Sequence, residues 1–232
     1  MLLTKYTHAC VRLENDGQVL VIDPGSLSEV EEALQGAGTV LVTHEHADHV
    51  DLDRLPGIVA ASSTLQVYAP AGVAEQLRSL TAGLAAGASA GGTGSGIAEG
   101  RIHAVEPGSG FEVPGFRIRT YGGQHALIHP LIPVVANIGY LVNETVYHPG
   151  DSFIVPDGLT ASAVLVPIHA PWNKVSEVID FVTAMRARRA FPIHDGLLNG
   201  TGRGLVEKHV ASFGARYGTS YEHLDPRQSV DL

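Results

Sequence analysis

The stretch Thr43-His44-Glu45-His46-Ala47-Asp48-His49 holds the densest metal-binding chemistry in the chain. Three histidines and Asp48 fall within six residues. Imidazole and carboxylate at this density suit zinc, with manganese or iron as alternatives. The apolar run Thr39-Val40-Leu41-Val42 comes just before and reads as a buried strand. The cluster therefore sits on a loop where a strand ends, a place where rigid scaffold presents chemistry. On an extended loop, residues i and i+2 project the same way, so His44 and His46 can share one ion. Asp48 and His49 are displaced along the chain and are better placed for a second.

The elements around this loop repeat the same event. Residues 2–14 read as strand, Asn15-Asp16-Gly17 as a turn, and Val19 to Ile22 as a second strand of a hairpin that exits at Asp23-Pro24-Gly25. A helix is expected from Glu29 to about Gln35, capped by Ser28, and a short one from Asp51 to Leu55, ended by Pro56-Gly57. Ile58 to Ala60 and Leu65 to Tyr68 read as strands, and Pro70 to Leu80 as a helix. The Gly/Ala/Ser/Thr-rich residues 81–100 read as a flexible loop, without the G-x-x-x-x-G-K-[ST] pattern of a phosphate loop. Hairpin-like strands follow at Ile102 to Val105, Phe111 to Val113 and Phe116 to Arg119, then strands at Val134 to Val142, Thr145 to His148, Ala163 to Val166 and Ala190 to Ile193. Helices are expected from about Ser176, with Val178, Phe181, Val182 and Met185 inward, and from Gly204 to Phe213. Four times an apolar strand ends in a metal-capable residue: at His44–His49, His125, Asp151 and His194. Two sheets packed face to face, with helices outside and a site along one shared edge, would bring these ends together.

The whole-chain properties narrow the classes. At 232 residues, 44% hydrophobic and 17% charged, the chain has the composition of an ordinary globular protein and is expected to form one domain, 1–232. A net charge of −9 argues against a primary grip on nucleic acid. The single cysteine, Cys10, excludes an internal disulfide and reads as a small buried residue in a reducing compartment. No signal-peptide pattern or membrane-length apolar run is present, so the default expectation is a cytoplasmic protein without a membrane partner.

With these motifs in this order, the chain resembles the metallo-β-lactamase superfamily over nearly its whole length. The carriers are the T-H-x-H-x-D-H loop, His125, Asp151 in Pro-Gly-Asp-Ser, and His194. Thr7-His8-Ala9 and Ile22-Asp23-Pro24 are similar to the branch of ascorbate-6-phosphate lactonase and related metal-dependent hydrolases. The resemblance implies an α/β fold, the αββα four-layer sandwich, and a dinuclear site. It implies one metal on His44, His46 and His125, a second on Asp48, His49 and His194, and Asp151 bridging both. A water between two such ions would act as nucleophile, with Asp48 orienting it as a catalytic residue. The chain lacks the cysteine that secreted zinc β-lactamases place near the second metal. Neither the long insertion of the RNA- and DNA-cleaving members nor an appended flavodoxin-like domain is expected.

Further polar residues are candidates for supporting roles. Asp23 is expected to orient the metal loop through hydrogen bonds. His8 reads as packing near the site or as a substrate contact, and His129 as a pocket or surface residue. His148 and Asp195 each neighbour a proposed ligand and, on the opposite strand face, would support it from behind. His169 and Trp172 could shape the pocket; His103, His209 and His223 read as ordinary histidines. The expected function is hydrolysis of a small ester, lactone or phosphodiester with two divalent ions. The alternatives are a phosphodiesterase or nuclease acting on nucleic acid, and a metal-holding protein without turnover. A small-molecule substrate is the expected partner, and a homo-oligomer is left open.

Overall fold

A computed structural model describes residues 1–88 and 100–232. Their strands form two seven-stranded sheets. The first sheet contains β1 (Leu2–Lys5), β2 (Val11–Asn15), β3 (Gln18–Ile22), β4 (Thr39–Leu41), β5 (Gln66–Ala69), β6 (Ile102–Ala104) and, added to β1 from the far end of the chain, β14 (Ser229–Asp231). The second runs through β7 (Gly110–Val113), β8 (Phe116–Gly122), β9 (Ile138–Val142), β10 (Val146–His148), β11 (Ala163–Pro167), β12 (Arg189–Ile193) and β13 (Ser220–Tyr221). Each sheet starts antiparallel and turns parallel: at β3–β4 in the first and at β10–β11 in the second.

The apolar strands alternate between two burial environments. Leu20 and Ile22 point into the core between the sheets, whereas Val21 packs under the helices of the first sheet. Ala163 and Leu165 face the same central core, whereas Val164 and Val166 meet the helices of the second sheet. Burial on both faces is why these strands are apolar at every position rather than at alternate ones. Helices α1 (Val30–Ala33), α2 (Leu55–Ala61) and α3 (Ala71–Ala88) cover the first sheet, and α4 (Val175–Met185) and α5 (Gly200–Ala215) the second. The αββα sandwich is thus the observed fold. On α4 the inward residues are Val178, Phe181, Val182 and Met185, as their spacing predicts.

Several local expectations are corrected. Residues 2–14 form two strands, because the chain turns through Tyr6–Cys10, with Tyr6 N donating to Cys10 O at 2.8 Å. Ser28 does not cap α1; its hydroxyl donates to Gly25 O at 2.7 Å. Pro56 lies in the first turn of α2, just after Leu55, instead of ending a helix, since proline there lacks only an N–H that has no partner within the helix. Ile58 to Ala60, expected as strand, belong to that helix. α3 continues through 81–88, where alanine and leucine outweigh the glycine; the rest of the expected loop, 89–99, lies outside the described residues. β9 begins only at Ile138, and 134–137 are irregular.

Candidate metal centre

The polar residues converge beyond the C-terminal ends of strands: Asp23 after β3, His44–His49 after β4, Asp151 after β10 and His194 after β12, with His125 beyond β8. Two glycines make the convergence sterically feasible. A side chain at Gly25 would overlap the Asp48 carbonyl, so only glycine lets this turn lie against the histidine loop. Gly150 adopts φ +62, and a Cβ there would collide with Asn137 Oδ1 and Thr43. Asn137 clamps the same loop: its amide donates to Pro149 O at 2.9 Å, and its Oδ1 accepts from Asp151 N at 3.0 Å.

Two groups of four side chains have ligand atoms within 4.8 Å of one another. One is His44, His46, His125 and Asp151; the other is His8, Asp48, His49 and His194. All seven residues expected as ligands therefore meet at one place. Asp151 lies between the groups, 3.0 Å from His49 Nε2, 3.1 Å from His194 Nε2, 3.3 Å from His125 Nε2 and 4.0 Å from His44 Nε2.

The surrounding hydrogen bonds fix the tautomers. His49 Nδ1 faces Asp23 Oδ2 at 2.6 Å, His125 Nδ1 faces Ala126 O at 2.6 Å, and His194 Nδ1 faces His169 O at 2.6 Å. Carbonyl and carboxylate oxygens accept, so each Nδ1 carries a proton and each Nε2 of the neutral ring presents a lone pair. Those three Nε2 atoms and Asp151 Oδ1 are buried with no hydrogen-bond partner. A buried lone pair aimed at a carboxylate is unfavourable unless a positive charge lies between them. The donor set, imidazole nitrogen with carboxylate oxygen, is what zinc, manganese and iron accept. The residues present fit divalent metal ions.

His8 is fixed the other way. Its Nδ1 accepts from Gly196 N at 3.2 Å, so its proton sits on Nε2, which donates to Asp48 Oδ2 at 3.0 Å. His8 thus holds Asp48 and has no lone pair to offer. Asp23 binds Thr43 twice, accepting from its N at 2.8 Å and its hydroxyl at 2.7 Å, in addition to His49. Asp23, His8 and His194 all have positive φ, a cost of about 1–3 kcal/mol each that this convergence holds in place.

The electrostatics show how strongly the carboxylates demand positive charge here, which either a proton on a ring or a cation between the rings can meet. Burial opposes charge on His49, but Asp151 and Asp23 outweigh it and hold the ring's pKa well above its ordinary value. Burial likewise opposes charge on His194, yet Asp151 and Asp48 raise it to about 9. Burial would raise the carboxyls of Asp151 and Asp48, but the surrounding imidazoles hold both below the usual range. Burial and neighbouring imidazoles keep His44 and His46 neutral. The centre is built to attract positive charge between its carboxylates.

The supporting residues divide. His148 is buried, donating from Nε2 to Ala9 O at 3.0 Å and accepting from Gly150 N at 3.1 Å, so it braces the Asp151 loop. Asp195 accepts from the fully buried Lys5 at 2.8 Å, tying the residue after His194 to β1. His169 contributes its carbonyl, not its imidazole. His129 is exposed and accepts from Leu131 N at 3.1 Å, apart from the centre. Trp172 Nε1 donates to Asp151 Oδ2 at 2.8 Å. His103 bonds Gln66 and His223 bonds Glu207 and Asp225, as ordinary polar contacts. Lys5 and Asn137 were not legible as site residues. A lysine inside an apolar strand was the one available signal for the first; nothing marked the second.

An αββα sandwich with histidines and aspartates gathered at its strand ends defines the class. A family model described as the beta-lactamase superfamily domain matches residues 2–194, and the chain belongs to that family. Protein Rv0786c of Mycobacterium tuberculosis is 33% identical over 210 residues, covering 88% of this chain and 89% of its own. A metal-dependent hydrolase of Xanthobacter autotrophicus is 28% identical over 186 residues, covering 74% of this chain and 68% of its own. In structure the chain is similar to Igni18, a metallo hydrolase from Ignicoccus hospitalis, with a TM-score of 0.69 and 17% identity over 99% of this chain and 97% of that one. That likeness concerns the fold. Among the described residues, no helix is long and apolar enough to cross a membrane.

Proposed function

We propose that this chain is a metal-dependent hydrolase holding two divalent ions, zinc or alternatively manganese or iron, and acting on a small ester, lactone or phosphodiester. The observation that carries the reading is Asp151, set between three buried and unpartnered imidazole nitrogens. His44, His46 and His125 would hold one ion, Asp48, His49 and His194 the other, and Asp151 both. When bound, such ions supply Lewis acidity and lower the pKa of nearby water.

The chain's own residues orient and hold. Asp48, with its side chain 28% exposed, is more open than Asp151 or Asp23. Its low pKa keeps it ionised, so it orients an incoming water by accepting a hydrogen bond instead of retaining the proton. His8 keeps Asp48 Oδ2 in place for that task, and Trp172 fixes the plane of Asp151.

Elemental analysis of metal-replete protein should find two ions per chain. Hydrolysis of a generic lactone, ester or phosphodiester should vanish with chelator and return with Zn²⁺ or Mn²⁺. Activity that survives exhaustive chelation, or a chain that takes up one ion or none, would overturn the reading.

A further inference from the structure

A groove of about 760 Å³ adjoins the centre. That size falls within the range of small-molecule sites. Trp172 is the wall the two share. Its indole nitrogen bonds Asp151, while its ring meets Phe153 at 5.0 Å and lies 5.8 Å from the His125 ring. Phe153 in turn packs on Phe181 at 5.3 Å. Leu127, Ile128 and Val155 complete an apolar lining, and all three are exposed. At the rim stand Lys174, Glu177 and Asp180, two carboxylates against one cation. One Glu177 oxygen already accepts from Lys174 N at 2.8 Å, which starts α4.

Resting on the hydrolase reading, we infer that this groove is the subsite for an uncharged aliphatic or aryl substituent of the substrate, which makes the substrate an apolar-substituted ester or lactone rather than a phosphodiester of nucleic acid. Aromatic and branched side chains left open to water gain free energy from covering by an apolar group. The net negative rim, on a chain of charge −9, repels a polyanion. Continuity through Trp172 puts the substituent beside the centre.

Trp172 is the only tryptophan, so its fluorescence reports on the groove without turnover. Metal-loaded protein is titrated with n-alkanols from butanol to octanol. Each added methylene should tighten Kd about two- to fourfold. Ala184→Phe, which fills the groove from an exposed helix position, and Leu127→Asp, which puts a charge in its wall, should each flatten that dependence. In parallel, the kcat/KM ratio of p-nitrophenyl octanoate to acetate should exceed tenfold and fall in both variants.

Affinity independent of chain length overturns the inference, as does a length dependence that neither variant alters. A single-stranded oligonucleotide that quenches Trp172 and displaces octanol would overturn it in favour of a nucleic-acid substrate. Alkanol binding as expected, with no hydrolysis of any ester or lactone by metal-replete protein, would keep the groove as an apolar ligand site. That last result would instead remove the substrate assignment and the hydrolase reading beneath it.

Discussion

The two halves of the molecule share a strand plan and differ in how they deliver chemistry. Each sheet begins with antiparallel hairpins and changes to parallel strands, joined by helices except between β10 and β11, where residues 149–162 are irregular. The first half spends one strand end, that of β4, to place His44, His46, Asp48 and His49. The second half places His125, Asp151 and His194 from three separate loops. The concentrated loop is held from behind by one carboxylate, Asp23, which bonds Thr43 and His49. The dispersed residues are held one by one: His125 by Ala126 O, Asp151 by Asn137 and Trp172, His194 by His169 O. The compact motif therefore takes most of its support from one buried carboxylate, with His8 holding Asp48, whereas the dispersed residues depend on separate partners and on the packing of the two sheets.

Asp151 offers the strongest test, because it is the dispersed residue that meets both groups. Asp151→Ala should reduce turnover on the order of a thousandfold or more, about 4 kcal/mol of transition-state stabilisation. Thermal melting should move little, because the cores around Val19–Ile22 and Val164–Val166 are untouched. A variant that binds two ions and keeps most of its activity would show that the halves do not meet at Asp151.

The link between the halves can be cut at Lys5, which reaches from β1 to Asp195 in the second half. Lys5→Met leaves a buried carboxylate unpaired and should cost about 3–5 kcal/mol of stability, read by denaturant unfolding. Lys5→Met with Asp195→Leu should recover most of that loss. A double variant as unstable as the single one would mean the ion pair is not what couples β1 to the His194 loop.

Asp23→Asn probes the single anchor. Asparagine tolerates the positive φ but loses the charge behind His49. Metal affinity should fall about 10- to 100-fold. Stepwise metal titration should show the loss chiefly in the ion assigned to His49. An equal loss at both positions would break the distinction between the two ligand groups.

The smallest effect is expected at His8, which positions Asp48 alone. His8→Ala should lower kcat by about tenfold, within the range for supporting residues around metal ligands. His8→Gln, whose amide can still donate toward Asp48, should restore part of it. An equal fall in both variants would point to lost packing.

The histidine loop, the later residues that converge on it and the buried strands were legible because their signals are local. A fully apolar run reports burial on both faces wherever it occurs, and three histidines in six residues have few structural explanations. The reading failed where local chemistry is ambiguous. Pro56 is compatible with ending one helix or starting the next, and only the packing of Leu55 and Val59 under the first sheet decides for the second. Strand β14 could not be read at all, because its partner β1 lies at the opposite end of the chain.

By itself, then, the sequence determined which residues could hold a metal and which runs must be buried, since both follow from side-chain type and spacing of a few positions. Tertiary structure alone decided the protonation pattern of the centre. Whether an imidazole offers Nε2 or withholds it depends on what faces its Nδ1. Asp23 faces that atom on His49, the Ala126 carbonyl on His125, the His169 carbonyl on His194 and Gly196 N on His8. Three of these partners are brought to their imidazoles from 25 to 188 residues away. No spacing rule reaches that far, so His49, proposed as a ligand, and His8, which holds Asp48, carry the same letter in the sequence and opposite hydrogen-bonding patterns in the fold.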